Sequence, residues 1–185
     1  AKPAYREILD FYEKVVTEQE GIKPVLTIAP LNIREDVRKL QMKEGFPLIH
    51  KGDFTLDIPS SVMLFEHLCQ IGKNATDKMS EEIRKIEHTV REGSLNLEKL
   101  FKKHYDEPYL DEIAEDLELD GAILKFLIHM SIKPSIDANV AQLKDKVDLK
   151  MWLKGYCPIC GSLPLMSELR EEGQRYFLCS FCGFI

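Results

Sequence analysis

Cys157-Pro158-Ile159-Cys160-Gly161, answered by Cys179-Ser180-Phe181-Cys182-Gly183, decides how the chain is read. Four of the five cysteines lie in these two runs, and eighteen residues separate Cys160 from Cys179. That spacing falls within the C-x₂-C…C-x₂-C range of a structural zinc site, in which four thiolates close a tetrahedron around one ion. Two cysteines three apart reach the same ion when the chain between them folds as a tight knuckle, and a glycine directly after the second permits the positive φ such a turn needs. Both runs end in Cys-Gly. Between them, 163–169 and 174–178 read as short extended segments around Glu171-Glu172-Gly173, so a β-hairpin returns the second knuckle to the first.

Two other chemistries use such pairs. Disulfides require an oxidising compartment, yet the sequence opens with no apolar signal segment and carries a single cysteine, Cys69, before the first knuckle. A thioredoxin-like redox pair sits in a βαβ unit, and no such pattern precedes Cys157. A metal site formed by Cys157, Cys160, Cys179 and Cys182 is therefore the preferred reading, in a small zinc-ribbon or rubredoxin-like module. Zinc and iron both accept a tetrahedral S₄ set, so zinc is expected and iron stays open.

A module of 33 residues, 153–185, is too small to fold on apolar burial alone and would depend on its ion, whereas residues 1–152 suffice for an ordinary domain. Charged residues make up 30% of the chain and hydrophobic ones 44%, with no run long enough to span a bilayer. A cytoplasmic protein without membrane insertion is expected. The net charge is −6, and 150–185 holds four basic against three acidic residues before a tetrathiolate metal adds its own negative charge. A nucleic-acid-binding ribbon presents a basic face, because phosphate neutralisation supplies most of its affinity. That class, a zinc-ribbon nucleic-acid- or transcription-associated protein, is the alternative reading and the weaker one.

Ahead of the knuckles the pattern is helical throughout. Tyr5, Ile8, Leu9, Tyr12, Val15 and Val16 recur at three- and four-residue steps, giving an amphipathic helix that stops near Gly21. Asn32 is placed to cap a short helix carrying Ile33, Val37 and Leu40. Residues 46–59 look extended without strand alternation, and 62–71 are apolar on more than one face, as in a buried helix. Thr76 or Asp77 caps the next helix, Pro108 fits the first turn of another, and Asp120 opens a helix over 121–129. Pro134 is expected to break or kink it before Ile136, Val140 and Leu143 resume the pattern. Trp152, at the junction, is expected to pack the module against the helices. The fold class is mainly α: an irregular helical bundle, 1–152, followed by the Cys₄ module with its hairpin.

No catalytic set emerges. Cys69 lies two residues after His67, a separation that points helical side chains apart, so no Cys-His pair forms locally. His50, His67, His88, His104 and His129 share no metal spacing. Glu66, Glu87, Glu115 and Asp116 fall on polar helix faces, and no phosphate-cradling loop, nucleophile elbow or dinucleotide fingerprint is present. The chain reads as a non-enzyme.

The run Trp152-Leu153-Lys154-Gly155-Tyr156-Cys157-Pro158-Ile159-Cys160-Gly161-Ser162-Leu163-Pro164, followed by Gly173-Gln174-Arg175-Tyr176-Phe177-Leu178-Cys179-Ser180-Phe181-Cys182, resembles the first metal module of the formate dehydrogenase accessory protein FdhE family. The Gly-x-Arg-Tyr before the third cysteine sets it apart from generic zinc ribbons. Along the helical body the likeness is one of architecture. The family pattern continues with a Trp three residues beyond the fourth cysteine and two further Cys-x-x-Cys pairs, a second metal site past the residues of this sequence. The resemblance implies a cytoplasmic maturation factor that binds the catalytic subunit of a molybdenum- or tungsten-containing formate dehydrogenase. It makes Cys157, Cys160, Cys179 and Cys182 the metal ligands. Arg175 and Tyr176 match the motif too, either meeting the client or serving the hairpin through a salt bridge and ring packing.

Overall fold

A computed structural model of the chain describes residues 3–170 and 173–185. Seven α-helices are seen among them: α1 Pro3–Ile22, α2 Glu35–Glu44, α3 Ile58–Lys73, α4 Asp77–Arg91, α5 Leu97–Lys102, α6 Glu107–Asp116 and α7 Gly121–Leu143. An antiparallel hairpin follows, β1 Pro164–Arg170 and β2 Gln174–Cys179. The mainly helical class with a terminal hairpin is as the sequence reading had it. Two compact units form, one of Ala1–Thr27 with Leu56–Pro134, the other of Ile28–Thr55 with Ser135–Ile185. Residues 153–185 thus group with 28–55 and 135–152. None of the described helices is long and apolar enough to cross a membrane.

The first unit is built on α3, which packs on α1, α4 and α5. Leu64, Leu68, Ile83, Ile86, Phe101 and Leu127 are all but inaccessible to solvent, and Phe65 meets Phe101 edge to face at 6.2 Å. Helix starts are fixed by side-chain oxygens on otherwise unpaired N–H groups. Asp57 accepts from Ser60 N, Thr76 from Met79 N, Asn96 from Lys99 N and Asp106 from Tyr109 N. Against the desolvation of burial, N–H donation from Thr27 and Ser60 holds the Asp57 carboxyl below its ordinary value. The cap expected at Asn32 is not made: α2 begins after Arg34, without a side-chain cap.

Helix α1 turns differently from its apolar pattern. Val15, Gln19 and Ile22 are buried, whereas Tyr5, Ile8, Leu9, Tyr12 and Val16 are exposed. The reason lies in α7. Rather than breaking at Pro134, α7 runs through it for 23 residues. Proline has no N–H, so the carbonyl of Met130, four residues back, loses its helical donor. Gln19 Nε2 supplies one, donating to Met130 O at 2.8 Å. A side-chain amide on α1 thus completes α7, and making that bond turns the 15–19–22 face inward.

In the second unit a buried amide again anchors the chain. Asn139 on α7 accepts from Thr55 N and donates to Thr55 O and Ser135 O. Gln142 accepts from Leu31 N, and Lys146 donates to Leu31 O. Of residues 46–59, read as extended, Lys51–Asp53 form a 3₁₀ turn and Ile58 and Pro59 already belong to α3, the rest being neither helix nor strand.

Gln19→Ala should destabilise the protein by about 1–3 kcal/mol, the cost of leaving a buried carbonyl unpaired. In a Pro134→Ala background, where an N–H returns to Met130 O, the same change should cost clearly less. Denaturant unfolding of the four proteins measures the coupling, and equal costs in both backgrounds would remove this explanation of the unbroken helix.

Candidate metal centre

The two knuckles repeat one backbone device. In the first, Gly161 N donates to Cys157 O and Cys157 N to Ser162 O; in the second, Gly183 N donates to Cys179 O and Cys179 N to Phe184 O. Both glycines take positive φ, 77° at Gly161 and 72° at Gly183, as the Cys-Gly pattern required. β1 and β2 pair in register from Arg170↔Gln174 to Met166↔Leu178, and a bulge then brings Pro164 opposite Cys179. The hairpin so delivers Cys179 beside the first knuckle. Ser180 N also donates to Leu163 O, closing the base of the module.

The sulfurs converge. All four Sγ atoms lie within 4.8 Å of one another, and each cysteine is buried. Cys157 Sγ and Cys182 Sγ are 3.6 Å apart, Cys160 Sγ and Cys179 Sγ 3.5 Å. A tetrathiolate with metal–sulfur bonds of about 2.3 Å has sulfur–sulfur edges of about 3.8 Å, whereas a disulfide is about 2.05 Å long. The cysteines are all free, and the donor set is of the size that can hold a metal ion. Among the described residues it is the one group of three or more potential ligands with that property.

As thiols, the four share protons unequally. Hydrogen bonding with Cys157 lowers Cys160 to about 7 and draws Cys179 down. Cys157 is held above the usual thiol range by its bond to Cys160, and Cys182 by its bond to Cys157. A cation bound here would take all four as thiolates and displace the protons they share. Cys160 Sγ lies 3.4 Å from Ser162 Oγ, a hydroxyl able to donate to the thiolate.

Sequence patterning missed what holds this centre from outside. Leu48 N donates to Pro158 O and Ile49 N to Ile159 O, so an irregular strip of chain pairs with the first knuckle. Tyr156 Oη donates to Gly45 O at the end of α2. Phe54 meets Phe181 of the second knuckle edge to face at 5.5 Å, and Lys51 Nζ sits 5.5 Å from the same ring. Backbone donors carry no side-chain signature, and 46–59 has no periodicity to betray them. Trp152 is buried, but the contact shown is to the knuckle itself: its Nε1 donates to Tyr156 O, and the two rings stand edge to face. Tyr156 is the module residue whose hydrogen bond reaches the end of α2. Tyr176 serves the hairpin, its ring under the Arg170 guanidinium and its hydroxyl donating to Gln174. Arg175 is exposed.

The residues set aside in the sequence lie in other surroundings. Burial pushes the Cys69 thiol up to about 12, away from nucleophilic chemistry. His67 pairs with Glu18, His88 with Glu92, and His50 accepts from Gly52 N. His104 bonds Phe101 O, and His129 bonds His104 O. Glu87 pairs with Lys73.

A helical chain ending in two cysteine knuckles on a hairpin is a tetrathiol module on an all-α body. The family model described as "FdhE, central domain" matches residues 156–184, which include all four cysteines. A curated protein of Aquifex aeolicus (strain VF5), described as "Protein FdhE homolog", is 22% identical over 186 residues, covering 97% of this chain and 59% of that protein. The chain therefore spans about 59% of the length of the curated relative it matches. No solved structure matches. These two matches support the FdhE family for this chain, as its knuckles and Gly-x-Arg-Tyr motif implied.

Gly161→Ala should cost about 1–2 kcal/mol from the left-handed backbone alone, and more because the added Cβ would stand 3.2 Å from Pro47 Cγ. Gly173→Ala, at φ 82° in open space, should cost only the backbone part. Thermal or denaturant unfolding of the two variants checks the order, and a costlier Gly173→Ala would contradict it.

Proposed function

We propose that this chain is a non-enzymatic accessory protein in formate dehydrogenase maturation, which binds the catalytic subunit of a molybdenum- or tungsten-containing enzyme and assists its assembly in the cytoplasm. The observation that carries this reading is the FdhE central-domain match across 156–184, with its two knuckles and Gly173-Gln174-Arg175-Tyr176. In this reading Cys69 is a buried structural thiol, and the histidines make structural contacts. The acidic balance of −6 favours a protein partner over nucleic acid.

Within this reading Cys157, Cys160, Cys179 and Cys182 are ligands of one structural ion, zinc before iron, and 153–185 is the segment whose folding depends on it, after an all-α domain over 1–152. Four thiolates fill a tetrahedron and leave no position for substrate. Elemental analysis of the purified chain should find about one ion per molecule, lost in Cys182→Ser. A colourless preparation with zinc fits the assignment, and the red of ferric tetrathiolate would replace zinc with iron. Protons compete for the thiolates, so the ion's contribution to stability is present at neutral pH and disappears as pH falls. Acid titration followed by metal release and circular dichroism should register the two losses together. A chain that holds no ion and yet keeps its fold from neutral to acid pH would end the metal assignment.

The partner is tested by co-purification with a formate dehydrogenase catalytic subunit at physiological salt. Retention is expected, and is expected to weaken when Cys182→Ser removes the ion. Failure of the metal-loaded protein to retain the subunit would refute the maturation role.

A further inference from the structure

Beside the first knuckle, the second compact unit contains a groove of about 880 Å³. Its lining includes Leu149, Leu153 and Phe177, which are 54%, 89% and 52% exposed, together with the rings of Tyr156 and Tyr176. Covering large apolar side chains is favourable, so this surface leaves substantial burial unused. Among the described residues, the charged ones that line it are Lys150, Lys154 and Arg175, all basic. None of the three forms an ion pair with a carboxylate among the described residues. This local balance runs against the −6 of the whole chain, and three cations exceed the −2 that a divalent ion with four thiolates would carry.

We propose that this groove docks a short segment of a partner protein in which acidic side chains alternate with apolar ones, the carboxylates meeting Lys150, Lys154 and Arg175 and the apolar groups covering Leu149, Leu153 and Phe177. The inference rests on the protein-binding reading above for the kind of partner and adds the surface and the chemistry it selects. Nucleic acid fits less well: three cations neutralise few phosphates, and the wall is aliphatic as well as aromatic. An isologous pair of chains would set the same cations face to face.

The test selects a randomised peptide library, displayed on phage, against the metal-loaded full chain. Enriched peptides should carry Asp or Glu between Leu, Ile, Phe or Met. Their affinity should fall about tenfold or more in Lys154→Glu/Arg175→Glu, because close charge pairs at an interface couple strongly, and again in Leu153→Asp. Metal content and circular dichroism confirm that each variant is folded. No enrichment, peptides without acidic residues, or equal binding to the charge-reversed chain would overturn the proposal. So would oligothymidylate displacing the peptides, or self-association abolished by the same substitutions. Retention of the formate dehydrogenase subunit is scored separately. Its loss with peptide selection intact sinks the maturation reading and leaves the groove; its survival in Lys154→Glu/Arg175→Glu leaves the maturation reading and removes the groove as its docking site.

Discussion

Four sulfur atoms brought within 4.8 Å of one another constrain everything in the second compact unit. Backbone geometry directs their convergence. Gly161 and Gly183 supply the left-handed turns, the hairpin bulge sets Cys179 opposite Pro164, and Leu48 and Ile49 clamp the first knuckle through its carbonyls. Together these devices set the geometry in which the four sulfurs meet.

The two units solve a common problem in the same way. Where the backbone loses a regular partner, a buried side-chain amide provides it: Gln19 completes the Met130 carbonyl left open by Pro134, and Asn139 pairs both polar groups of Thr55. Unpaired polar groups in a low-dielectric interior cost more than a made bond returns, so these amides specify geometry more than they add stability. Along α7, the first amide bond closes the gap just before Pro134 and the second anchors the residues just after it.

The cysteine centre was legible because its chemistry is written in side chains at fixed spacing. Cys157, Cys160, Cys179 and Cys182 needed no tertiary information to be grouped, and the glycines announced their turns. The helices were legible from apolar periodicity, and their starts from Thr76, Pro108 and Asp120. Periodicity could not tell which face of α1 turns inward, because Gln19 decides that through a contact 111 residues away in sequence. Nor could it choose between a break at Pro134 and a helix that carries on, since the donor that makes continuation tolerable lies on another helix. The cradle formed by 45–54 was invisible for a different reason: Leu48 and Ile49 bond the knuckle through backbone alone.

A closed tetrathiolate has no open coordination position, so an ion held there would act on the outside world only through the surface it shapes. What it shapes is a hairpin with Leu165, Met166, Leu169 and Phe177 left in solvent, a density of exposed apolar side chains that is costly to keep in a small module. A chain that needed only to stabilise itself would place polar residues at these positions, as the outer faces of α4 and α5 do with their Lys–Glu pairs. Under the proposed function, a tetrathiol clip beside exposed apolar side chains suits recognition of another protein. Rigidity has a physical use there, because a surface already fixed loses little entropy when a partner settles on it.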